Sequence, residues 1–103
     1  MAEDRIMMQN PNTGRNDITI AVAIYEPTRD AILAALDEAG ELPNSKLVGE
    51  VERRTPPGLW ANNSCAWFTT SVKLHLEANE WLQKKGSPQI LSITEAGRKQ
   101  MAS

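Results

Sequence analysis

The stretch from Ser64 to Ile93 limits the possible folds most, because an amphipathic helix signal runs directly into a hairpin signal. Asn62-Asn63-Ser64 supplies N-capping side chains, and the pattern behind them predicts a helix over Ser64 to Ala78. At about 100° per residue, Trp67, Phe68, Val72, Leu74, Leu76 and Ala78 spread over one broad apolar face. Thr69, Thr70, Lys73 and Glu77 group opposite, towards solvent. Asn79 is placed to cap this helix in a left-handed conformation. Trp81 to Lys85 and Gln89 to Ile93 then read as two short strands separated by Gly86-Ser87-Pro88. The expectation is a rod with its bulky rings turned inward and a two-stranded ribbon behind it.

Upstream, Arg5 to Gln9 and Asp17 to Ala21 read as extended pieces joined by the turn-forming cluster Asn10-Pro11-Asn12-Thr13-Gly14, so residues 1–22 form an arm or a hairpin. A first helix is expected from Tyr25 to Ala39, with Tyr25, Ile32, Leu33 and Leu36 on one face. Pro27 belongs in its first turn, where a missing N–H costs nothing, and Gly40 ends it at positive φ. Pro43-Asn44-Ser45 offers N-capping chemistry for a second helix through Arg54, burying Leu47, Val48 and Val51. Thr55-Pro56-Pro57-Gly58 stops it, and Leu59 and Trp60 fall in a connector. Thr94 caps a last polar helix over Glu95 to Gln100, weakened by Gly97.

With 103 residues the chain has room for one core, so residues 23–103 are expected to form a single compact unit. A hydrophobic fraction of 41% and a charged fraction of 23% lie outside the disordered regime. The single Cys65 cannot close an internal disulfide. The longest apolar run, Ile18 to Tyr25, is broken by Thr19 and falls far short of the ~20 residues that cross a bilayer. The acidic start also lacks the look of a secretion signal, so cytoplasm is the expected location.

Three helices, the third amphipathic, followed by a ribbon give an α+β fold of the winged helix-turn-helix kind: a three-helix core, a two-stranded wing and an N-terminal extended arm or hairpin. The run Ser71-Val72-Lys73-Leu74-His75-Leu76-Glu77-Ala78, with Ile93-Thr94-Glu95-Ala96-Gly97-Arg98 after it, resembles the third helix and wing exit of MarR-like winged-helix regulators. Asn10-Pro11-Asn12, Gly14-Arg15 and Ala66-Trp67-Phe68 with Val72, Leu74 and Leu76-Glu77-Ala78 also resemble small bacterial winged-helix proteins of unknown function. The second resemblance implies a fold and no activity. This chain departs from it at Thr70, Lys73 and His75.

The net charge of −2 argues against a nucleic-acid coat, since phosphate binding draws on Lys and Arg. Residues 1–54 carry six basic groups against ten acidic ones, and residues 55–103 carry five against three. An anionic partner would therefore meet the second half. Thr69, Thr70 and Lys73 are candidate readers of a DNA major groove, Lys84 and Lys85 candidate wing contacts, and Lys46 a candidate backbone clamp. The bland alternative is a solvated helix face, with Glu77 as an ordinary i,i+4 partner of Lys73.

Trp67 and Phe68 are read as core packing rather than base-stacking platforms, whereas an exposed Trp60 would mark a binding or dimer surface. His75, the single histidine, is expected to be a buried or partly buried structural imidazole, with a pH-sensing role as the alternative. Cys65 at a helix start could be a redox-sensing thiol as in some MarR-like repressors, though no second Cys stands ready to resolve it. No catalytic residue, metal site or cofactor is expected. Two functions follow: a homodimeric regulator that binds double-stranded DNA, or a winged-helix adaptor that binds protein.

Overall fold

Residues 4–9, 18–86 and 88–101 are described by a computed structural model of the chain. The turn expected at Asn10 to Gly14, and Ser87 in the ribbon loop, lie outside the described residues. Strand β1 (Arg5–Met8) pairs antiparallel with β2 (Ile18–Ala21), with Arg5 opposite Ala21 and Met8 opposite Ile18. Met8, Ile20 and Ala21 are buried while Arg5, Met7 and Ile18 face out.

Helix α1 (Val22–Ala39) leaves β2 without a connecting loop and starts three residues before its expected first residue. Pro27 is therefore inside the helix rather than in its first turn. The carbonyl it deprives of a donor belongs to Ala23, an exposed residue. Tyr25, Thr28, Ala31, Ile32, Leu33, Ala35 and Leu36 form the buried stripe. Gly40 ends the helix at φ +80, its N–H donating to the Leu36 carbonyl at 2.8 Å.

Strand β3 (Glu41–Pro43) was not expected: three residues ending in proline carry no alternation of their own. It exists because β5 presents a ladder to it. A 3-10 turn (Asn44–Lys46) leads into helix α2 (Leu47–Arg54), which has no side-chain N-cap. Pro43-Asn44-Ser45 was expected to supply that cap; the Asn44 side-chain oxygen instead accepts a hydrogen bond from Lys73 Nζ at 3.2 Å. A second 3-10 turn (Pro57–Trp60) precedes helix α3 (Cys65–Ala78). Ser64 caps α3 as expected, accepting the Trp67 N–H at 3.2 Å. Asn79 is not left-handed, with φ −91; Glu80 takes the positive angle, φ +61, one residue later.

Strands β4 (Leu82–Lys85) and β5 (Ile90–Ile93) form the expected ribbon, Leu82 opposite Ile93 and Lys85 opposite Ile90. With β3 the sheet has three strands in the order β3-β5-β4, all antiparallel. Helix α4 (Glu95–Met101) starts at Thr94, whose hydroxyl accepts the Gly97 N–H at 3.0 Å and donates to the Glu80 carbonyl at 2.6 Å. The architecture is thus mixed α+β: among the described residues, four helices and two small sheets surround one core. Ile32, Leu33 and Leu36 of α1 meet Leu47 and Val51 of α2, Val72 and Leu76 of α3, Leu91 and Ile93 of β5, and Met8 and Ile20 of the hairpin. Among the described residues no helix is long and apolar enough to cross a membrane.

Candidate interaction face

The rod and the ribbon stand where the sequence puts them, but the rod is turned about its axis. Cys65, Thr69, Val72, Lys73, His75 and Leu76 point into the protein. Trp67, expected inside, is 48% exposed, and Leu74 is only half-buried. Thr69 and Lys73, expected outside, are 1% and 8% exposed. At about 100° per residue the displacement is close to a quarter-turn. Contacts from three sides explain it. Val72 and Leu76 join the core, His75 meets the hairpin and Lys73 reaches the turn before α2.

The face that α3 leaves in solvent carries Trp67, Thr70, Ser71, Leu74 and Ala78, one or two per turn. Trp67 stands edge-on to Phe68, with ring centroids 5.0 Å apart and planes at 82°, and Phe68 meets Trp60 at 6.1 Å. Trp60 is half-buried and packs on the core, its indole N–H donating to Thr55 Oγ1 at 2.8 Å. Three rings therefore run from the second 3-10 turn to the outer side of α3, and the last is open to water. The spacing 67, 70, 71, 74, 78 is itself a helical stripe and was available in the sequence, hidden because apolar residues occupy most sides of this helix.

Of the six residues expected to meet DNA, Lys46, Thr70, Lys84 and Lys85 are exposed, while Thr69 and Lys73 are buried. Thr69 is sealed in, its hydroxyl 3.6 Å from Cys65 Sγ. Burial lowers the pKa of the Lys73 ammonium, against the pull of nearby Glu77 and with the repulsion of Lys84. Lys84 Nζ lies 3.3 Å from Glu77 Oε1, and Lys85 Nζ lies 3.3 Å from Glu41 Oε2 on β3. The structure thus brings Lys73 and Lys84 together, around a Glu77 side chain only 7% exposed rather than on an open surface. One Glu77 oxygen, Oε2, has no protein partner among the described residues. A shallow cleft of about 380 Å³ beside it is lined by Glu77, Glu80, Leu82, Gln83 and Thr94.

Cys65 is buried, and desolvation pushes its thiol pKa up, the reverse of what a reactive thiolate needs. His75 is buried as expected, 6% exposed, with burial lowering its pKa. Among the described residues no three His, Cys, Asp or Glu side chains gather as a metal site. No curated protein and no solved structure matches the chain. The profile of a family of unknown function (DUF6958) matches residues 5–91, most of the chain's length, and the protein belongs to that family.

Proposed function

We propose that the chain is a non-catalytic, cytoplasmic winged-helix module that binds a protein partner through the outer face of α3. The element order supports the winged-helix reading. Three helices enclose a short strand, and that strand joins the two wing strands in the order β3-β5-β4. The observation that carries the choice of partner is the exposed Trp67, set beside Thr70, Ser71 and Leu74 where a DNA reader would present basic side chains. A half-exposed indole braced by a second ring gives a protein partner apolar area at little entropic cost. The wing lysines are already engaged with Glu77 and Glu41, so their fields are partly neutralised before any phosphate approaches.

Double-stranded DNA, bound by a homodimer, is the rival reading; Lys46, Thr70, Lys84 and Lys85 are the expected contacts that stay exposed, the last two in ion pairs. One pair of experiments separates the two. A photo-crosslinker at Thr70 should capture a protein from lysate of the source cell, and Trp67→Ala should abolish that product while leaving the melting temperature nearly unchanged. In a gel-shift series at low salt, wild type should leave random duplex DNA unretarded. Salt-sensitive retardation that Lys46→Glu and Lys84→Glu remove would overturn the protein-binding reading in favour of DNA.

A further inference from the structure

His75 sits where the N-terminal hairpin, α1 and the end of α3 meet. Its Nδ1 accepts the backbone N–H of Gln9, the residue after β1, at 3.1 Å. That bond requires Nδ1 to be unprotonated, so the neutral ring carries its proton on Nε2. On the Nε2 side the Asn79 amide nitrogen lies 3.4 Å away, oriented by donation to the His75 carbonyl at 2.8 Å and reaching Gln9 Oε1 at 3.4 Å. Tyr25 of α1 and Trp81 stand edge-on to the ring, with centroids 5.7 Å and 6.3 Å from it. The imidazole is thus held on two sides by aromatic walls and faces N–H groups at both nitrogens.

We propose that His75 is a proton-operated latch for the N-terminal hairpin: neutral, it holds Gln9 and β1 against α3; protonated, it sets N–H against N–H and lets the hairpin lift. Among the described residues, the surrounding charges do not rescue the imidazolium. From α1 comes Tyr25, whose hydroxyl is kept neutral by burial, with Arg29 lying over the outside of its ring at 5.5 Å. From β1 comes Arg5, bonded to Thr19. From α3 come Glu77, engaged with Lys84, and Lys73, engaged with Asn44. Glu80, in the turn after α3, lines the cleft beside β4. Among the described residues no carboxylate lies within ion-pairing distance of the ring.

Burial acts in the same direction as the geometry, holding His75 below the ordinary histidine range. With the closed-state value depressed, the detached state binds the proton more readily. Closure is at full strength above the ordinary histidine value. It weakens as the pH falls through the interval down to the depressed value, and stays constant below that. The β1–β2 ladder is paired along all four residues of each strand, and lifting it would uncover the buried Met8 and Ile20. Protonation therefore raises the population of an open state rather than melting the domain.

The chain has one histidine, so its ring resonances need no assignment by mutation. Wild-type chain is titrated by NMR from about pH 8 to about pH 5, with amide hydrogen exchange followed in parallel. His75 should titrate below the ordinary value. Over the same interval the amides of β1 and β2 should exchange at least about tenfold faster relative to those of α2. His75→Asn keeps an acceptor near the Nδ1 position but cannot titrate, and should flatten the hairpin's response. An ordinary titration, acceleration of hairpin and α2 together, or an undiminished response in His75→Asn would each overturn the latch.

Discussion

A methyl group at position 97 would run into the Trp81 carbonyl oxygen and come within 2.8 Å of Ile93 Cγ1. From sequence Gly97 reads as a weak point in a polar helix; in the fold it is the place where α4 lies flat on the backbone leading into β4. Gly97→Ala should therefore destabilise the protein by about 1–3 kcal/mol through overpacking, outweighing the ~1 kcal/mol that alanine adds to helix preference. Urea denaturation measures this, and a gain in stability would show that α4 does not dock there. Asn44 is a similar case. Its identity suggests a cap, and a lysine 29 positions away, Lys73, takes its oxygen instead. Ser64 met no such competitor, and its cap was legible.

For elements, helices with a polar side were easier to read than α3. The inward stripe of α1 and the two strands of the ribbon follow from local periodicity, and both stand as expected. Helix α3 carries apolar or small residues around most of its circumference, so its period marks a helix without saying which side is inside. The observed orientation has a direct test. Leu76→Ala should cost about 2–5 kcal/mol, as a fully buried leucine does, whereas Trp67→Ala should cost about 1 kcal/mol or less, as expected for a half-solvated site. Equal losses in chemical denaturation would restore the inward-facing ring. Strand β3 escaped notice because only β5, some fifty positions on, makes Glu41 to Pro43 a strand.

Across the whole molecule, the hairpin takes part in the core: Met8 and Ile20 lie in the same buried cluster as residues of α1, α2 and α3. Removing residues 1–21 should lower the melting temperature by about 10 °C or more, given the ~1.5–3 kcal/mol each buried aliphatic side chain contributes. A truncated chain that melts with the full one would show that residues 22–103 stand alone. What the residues settled by themselves is the kind and order of elements. Helical and extended periods, caps and turn formers act over a few neighbouring positions, and they specify an α+β domain whose third helix leads into a ribbon. What only tertiary structure decided is which side of that helix meets water and what each lysine touches. Those outcomes depend on groups far apart in the chain, Asn44 with Lys73, Glu41 with Lys85 and Gln9 with His75, and local periodicity carries no information about such pairings.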